Sequence, residues 1–167
     1  YIAGMSPATD YLIRKGYRLP TAAEWEHACR AQTETSRYYG SADALLAKYG
    51  WYLDIWEDRA WPVARLKPND FGLFDMYGNV WEWCHEQRRA YTATPEVDAP
   101  DVSLVVDSKL RIVRGSSYKY PPNQLRSALF DYYRPNHSHT DFGFRPVRTI
   151  ANDVDVMDWS ALSLGLN

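Results

Sequence analysis

Asp75 and Glu82 are the residues of this chain best placed to do chemistry, because both are carboxylates set inside an apolar segment. The stretch Asp70-Phe71-Gly72-Leu73-Phe74-Asp75-Met76-Tyr77-Gly78-Asn79-Val80-Trp81-Glu82-Trp83-Cys84 holds them among four large aromatic side chains. Phe71, Phe74, Trp81 and Trp83 carry much apolar area and dominate burial. A carboxylate in such company is normally paired, hydrogen-bonded or bound to a metal. Hard divalent cations are met by carboxylate and carbonyl oxygens. Asp75, Glu82 and the carbonyls of the turn between them therefore have the composition of a small oxygen cage. The competing reading is that the two carboxylates cap turns or pair with Arg65, Arg111 or Arg114. Gly72 and Gly78 mark sharp turns, which only glycine enters without steric cost.

Other reactive side chains offer less. Of the four histidines, only His137 and His139 lie close in sequence, and no third ligand accompanies them, so they read as polar loop residues. His27 lies off the apolar stripe of its helix and reads as solvent-facing. Cys29 and Cys84 are the two cysteines, too few for a disulfide-stapled scaffold. A single bridge between them is compatible with the sequence, but buried free thiols are the favoured reading. No nucleophile elbow, phosphate loop or zinc spacing is present.

These residues need a frame. Thr21 with Glu24 three residues on forms a capping box, and Trp25, Ala28 and Cys29 follow at helical spacing. Residues 1–16 read as a short helix with Ala8, Leu12 and Ile13 on one side and Gly16 as its stop. A further short helix is expected over Ala42–Ala47. Trp51, Tyr52, Trp56 and Trp61 alternate with Asp54, Glu57 and Asp58 in an exposed acidic-aromatic loop. Lys67-Pro68-Asn69-Asp70 is a turn. Residues 88–108 read as surface loop with a short strand at Leu104-Val105-Val106. Arg111-Ile112-Val113-Arg114 alternates as a half-buried strand should, and Gly115 ends it. Pro121, Pro122 and Pro135 forbid long regular elements beyond it.

Nine of the fourteen residues in the run Leu129–Phe142 are Tyr, Asp, Asn, His, Ser or Thr. Rigid amphipathic aromatics mixed with small polar groups are the palette of recognition loops. At 167 residues with 46% hydrophobic content, seven Trp and thirteen Tyr, the chain has one domain's worth of core-forming side chains. A net charge of −2 argues against nucleic acid or an anionic membrane as the main partner. No apolar run is long enough to span a bilayer.

Four blocks in order carry a resemblance. They are Tyr17-Arg18-Leu19-Pro20-Thr21-Ala22-Ala23-Glu24-Trp25-Glu26-His27-Ala28-Cys29-Arg30-Ala31, the Gly72–Trp83 stretch, Val113-Arg114-Gly115-Ser116-Ser117-Tyr118, and Gly143-Phe144-Arg145-Pro146. Together they resemble the formylglycine-generating enzyme / sulfatase-modifying factor family over about residues 10–149. The resemblance implies an α+β, C-type-lectin-like fold, loop-rich and low in regular secondary structure. The domain is expected over residues 1–149, with a C-terminal tail at 150–167. The chain opens on Tyr1, and the resemblance implies further chain before the first block. It also implies a structural calcium ion held by the Asp75 and Glu82 side chains and the Gly78 and Val80 carbonyls.

For activity the resemblance points two ways. Formylglycine-generating enzymes oxidise a substrate cysteine with oxygen, using copper held by two cysteines. By position those fall on Tyr120 and Leu125, and a copper(I) site needs soft thiolates. The catalytic apparatus is therefore read as lost. The same scaffold is used by the variable proteins of diversity-generating retroelements, which this chain also resembles. On that reading Arg126-Ser127-Ala128, Pro135 and Gly143-Phe144-Arg145 are fixed scaffold. The ligand face is then Tyr118, Tyr120, Phe130, Asp131, Tyr132, Tyr133, Asn136, His137, His139 and Asp141, with Trp56 from the acidic loop. The ligand is a protein or a small molecule. Reduced cysteines and the absence of a signal-like segment suggest a cytoplasmic setting, or surface display as part of a longer chain.

Overall fold

A computed structural model describes residues 4–53, 59–88, 101–106 and 108–150. In chain order the strands are β1 (Gly16–Arg18), β2 (Gly50–Trp51), β3 (Tyr77–Gly78), β4 (Trp81–Gln87), β5 (Arg111–Arg114), β6 (Phe130–Tyr133), β7 (Phe142–Gly143) and β8 (Val147–Thr149). A single α-helix among the described residues, α1 (Ala22–Arg30), joins them, together with two 3-10 turns at Asp43–Lys48 and Pro122–Gln124. Trp56 and residues 151–167 of the expected tail lie outside the described residues.

The capping box forms as the sequence requires. Thr21 Oγ1 accepts from the Glu24 amide at 3.0 Å, and the Glu24 carboxylate accepts from the Thr21 amide at 2.8 Å. Arg18 clamps the same carboxylate from the side with two bonds of 2.6 Å, and that contact holds the Glu24 carboxyl below its usual range. Glu86, reaching from β4, takes the Ala22 amide on both oxygens at 2.8 and 2.9 Å. Helix α1 is thereby fixed to the main sheet at its N-terminus. It buries Ala22, Trp25 and Cys29, while His27 is exposed as expected.

The main sheet runs β6-β5-β4-β7. β4 and β5 are antiparallel, with a register shift between Trp83 and Gln87. β5 and β6 are antiparallel, and β7 lies parallel to β4. Two small pairs complete the frame, β1 antiparallel to β8 and β2 parallel to β3. The α+β, loop-rich architecture is that expected of a C-type-lectin-like fold. Gly78 shows why the β2–β3 crossing is tight: its φ is +77°, and a Cβ there would lie 1.7 Å from the Trp51 carbonyl oxygen. The core beneath gathers Trp25, Cys29, Leu46, Met76, Tyr77, Cys84 and Leu125.

Several local expectations give way, among them the exposed acidic-aromatic loop: Trp51 and Tyr52 are buried, at 2% and 7% exposed. Residues 8–14 form turns, with the Ile13 and Arg14 amides both bonded to the Asp10 carbonyl. Ile13 is 76% exposed, so the apolar stripe has nothing to pack on and no helix forms. Leu104–Val106 is not a strand, although Val105 exchanges backbone bonds with Gly4 and Met5. Phe71 stays 44% exposed, because the turn at Gly72 projects it outward. Between them Cys29 and Cys84 form no disulfide: both are buried free thiols. Burial pushes Cys29 up to about 12 and Cys84 well above its ordinary value, which keeps both protonated and unreactive.

Candidate functional site

The central carboxylates are buried and fully engaged. Asp75 Oδ1 accepts from the Trp51 indole at 3.0 Å, and Oδ2 from the Ala64 amide at 2.7 Å. Glu82 Oε2 accepts from the Trp25 indole at 2.6 Å and from Arg145 Nε at 3.0 Å, while Oε1 accepts from Arg145 Nη2 at 2.8 Å. Each oxygen therefore faces an N–H donor, and Glu82 faces a full positive charge. In this arrangement protein donors occupy the oxygens, and a cation at this turn would have to displace them. Among the described residues no group of three His, Cys, Asp or Glu is placed to hold a metal. Pairing was the competing reading of these carboxylates, but the partner is Arg145 rather than Arg65, Arg111 or Arg114. Gly78 and Val80 belong to the same turn. There Asn79, at φ +62°, exchanges two bonds with the Trp61 backbone, at 2.8 and 3.1 Å.

Positions 120 and 125 offer no soft donor. Leu125 is fully buried, and its carbonyl accepts from Arg37 Nε at 2.7 Å. Arg37 also holds the Pro122 carbonyl at 2.8 Å, so the loop is clamped to the 37–43 segment. Tyr120 meets Trp81 edge to face, with ring centres 5.3 Å apart. A phenol and an isobutyl group do not fit a copper ion of the thiolate type.

Beside Tyr120 opens a cleft of about 380 Å³, lined by Lys119, Tyr120, Tyr133, His137, His139, Asp141 and Phe142. That volume is at the small-molecule end of ligand sites. Two elements of the main sheet build it. β6 delivers Tyr133, and the turn before β7 delivers His137, His139 and Asp141. One wall is aromatic: Tyr133 stacks on His137 at 4.8 Å, and Phe142 meets both edge-on at 4.8 and 4.7 Å. The Tyr133 hydroxyl donates to Asp131 at 3.2 Å and lies 3.4 Å from the Tyr120 hydroxyl. Burial, the Tyr120 bond and Asp131 push its pKa up, so it stays a phenol.

The other wall is charged. Asp141 is 5% exposed; its Oδ2 accepts from Ser117 Oγ at 2.9 Å, and its Oδ1 meets His139 Nδ1. Lys119 Nζ is 3.5 Å from the same Oδ1. Burial raises the Asp141 carboxyl, but Ser117, His139 and Lys119 together outweigh it and hold the pKa below normal.

Of the expected face, Tyr120, Tyr133, His137, His139 and Asp141 thus come together. Phe130, Asp131 and Tyr132 lie half-buried on β6, and Asn136 is exposed. Tyr118 is not a surface group: it is 3% exposed, with its hydroxyl 3.3 Å from Thr140 Oγ1. Asp141 is likewise buried, and reaches the cleft only as its charged floor. Sequence reasoning missed Lys119, Ser117 and Phe142. Lys119 sits between two tyrosines already singled out, which was signal enough to include it.

A family model for the sulfatase-modifying factor enzyme 1-like domain matches residues 2–150. The chain belongs to this family. It is 34% identical to the formylglycine-generating enzyme of Streptomyces coelicolor, over 92% of this chain and 52% of that protein. Among solved structures, Treponema denticola variable protein 1 superposes with a TM-score of 0.71 at 29% identity, over 84% of this chain and 52% of that one. PvdO from Pseudomonas aeruginosa gives a TM-score of 0.66 at 26% identity, over 81% and 54%. The chain spans about half the length of the curated relatives it matches. No helix among the described residues is long and apolar enough to cross a membrane.

Proposed function

We propose that this family member is a non-catalytic ligand-binding module, with its recognition face on β6 and the loops that flank it. The observation that carries the reading is the cleft beside Tyr120. Five of its seven lining residues belong to the face expected from composition, and they sit on loops braced by the main sheet, where binding groups gather. The face comprises Tyr120, Phe130, Asp131, Tyr132, Tyr133, Asn136, His137 and His139, with Tyr118 and Asp141 supporting it from beneath. Trp56 is carried as a sequence-level member. Likeness to the Treponema variable protein supports a face diversified in the manner of retroelement variable proteins. The ligand is a protein or a small molecule.

The second reading is an oxygen-dependent oxidase of the formylglycine-generating type, favoured by the 34% identity to the Streptomyces enzyme. The donor set at positions 120 and 125 weighs against it. Incubation with copper, oxygen and a cysteine-containing sulfatase peptide, followed by mass measurement, separates the two. The binding-module reading expects an unchanged peptide; an aldehyde product overturns it. Calcium at Asp75, Gly78, Val80 and Glu82 is a separate proposal from the family resemblance. It requires Asp75 and Glu82 to exchange indole, amide and guanidinium donors for the ion, and a melting curve with chelator tests it.

A further inference from the structure

Asp141 already receives a donor on each carboxylate oxygen, Ser117 on Oδ2 and His139 on Oδ1. Being ionised, it takes the proton-bearing Nδ1 of His139 on Oδ1, whether that ring is neutral or charged. Lys119 Nζ sits 3.1 Å from the same Nδ1, an atom that has no lone pair to offer it. Asp141 Oδ1 lies 3.5 Å from the ammonium and Thr140 Oγ1 3.4 Å, with the Tyr118 ring centre 5.4 Å away. Ser117 occupies the other Asp141 oxygen. The ammonium thus lines the cleft with its charge shared rather than matched, and its side chain is 29% exposed.

We propose that the cleft takes an aromatic monocarboxylate, its ring packed on the wall of Tyr133, His137 and Phe142 and its carboxylate at the Lys119 ammonium. The proposal rests on the binding-module reading and names the ligand class of that site. A ring is called for because the wall is itself built of edge-to-face pairs, and a further aromatic extends that packing. An anion is called for because the Lys119 ammonium meets its oxygen partners Asp141 and Thr140 only at 3.4–3.5 Å, which leaves it to attract an anion and to repel a cationic ligand. A single charge is called for because the cleft supplies one ammonium with a carboxylate beside it. A phosphate dianion wants the forked or multiple donors that an arginine cluster provides, and no arginine lines the cleft.

The test uses four probes with the intact chain: 4-hydroxyphenylacetate, its neutral amide, cyclohexylacetate and tyramine. Dissociation constants are read by ligand-observed NMR, with residue assignments reporting the site. The expected order places 4-hydroxyphenylacetate at least tenfold tighter than the other three. Lys119→Gln should erase its advantage over the amide with the folded circular dichroism spectrum retained, and Lys119→Arg should keep it. Tyr133→Leu should erase its advantage over cyclohexylacetate. Tyramine or the amide binding equally well in the same cleft overturns the ligand class and leaves the binding face standing. Failure of all four probes at millimolar concentration also overturns it, and the binding face is then judged by its own peptide and sequence tests.

Discussion

Arg145 and Glu82 form a two-pronged ion pair, Nη2 to Oε1 at 2.8 Å and Nε to Oε2 at 3.0 Å, that ties the Gly-Phe-Arg segment to β4. The Glu82 side chain is 9% exposed, and Trp25 adds an indole bond, so this pair joins helix, sheet and C-terminal segment at one point. Removing one partner leaves a buried charge uncompensated. Arg145→Met should cost about 3 kcal/mol of folding stability, and adding Glu82→Gln should restore at least ~1 kcal/mol. Denaturant melts of the two singles and the double measure this. Additive losses would mean the pair is not coupled.

Ser116 stores strain. Its φ is +66°, a region that costs a non-glycine residue roughly 1–2 kcal/mol, and its buried hydroxyl makes no hydrogen bond among the described residues. Ser116→Gly removes both penalties and adds some unfolded-state entropy. The expected outcome is a gain of about 1 kcal/mol in chemical denaturation. A loss would show that the hydroxyl has a role in the folded state.

How much of this was legible in the sequence can be read from particular residues. Thr21 and Glu24 announced helix α1 because a cap is a local device, three residues from end to end. Gly78 announced its turn because only a missing Cβ allows Trp51 so close. Arg111–Arg114 showed its strand through alternation. Arg145 did not announce itself as the partner of Glu82, since 63 residues separate them and only the β4–β7 pairing brings them together. Residues 8–14 look helical in isolation but find no surface to bury Ile13. The face over 118–141 was visible as composition, whereas its division into aromatic wall, charged floor and buried Tyr118 depends on the β6 and β7 register.

Stability should fall in acid through Asp141. Its folded pKa is held below the ordinary carboxylate value, so its contribution is full above the unfolded pKa and is lost as pH falls through the folded one. His85 adds to this earlier, because burial lowers its pKa, and protonation below about 6.5 works against the fold. Asp141→Asn should flatten the melting temperature between pH 5 and pH 3 relative to the parent. An unchanged slope would remove Asp141 from the acid response.

Chelation reads the central turn. Trp25, Trp51, Ala64 and Arg145 hold the Asp75 and Glu82 oxygens in this structure. Calcium at Asp75, Gly78, Val80 and Glu82, as proposed, would take over from these donors, and chelation should then lower the melting temperature. An ion bound only by the folded state raises stability by mass action, about 2.7 kcal/mol at a hundredfold excess over its dissociation constant. A fall of that kind on chelation, abolished by Asp75→Asn, is the expected outcome; an unchanged melting temperature would contradict calcium there.

The claim that this family member binds rather than oxidises is tested most directly by sequencing its close relatives from the same genomic source. Substitutions should concentrate at Tyr120, Phe130, Asp131, Tyr132, Tyr133, Asn136, His137 and His139. Arg126, Gly143 and Arg145 should stay fixed, the last as the counter-charge of Glu82. Substitutions spread evenly over the surface, with the cleft no more varied than the rest, would contradict a diversified binding face.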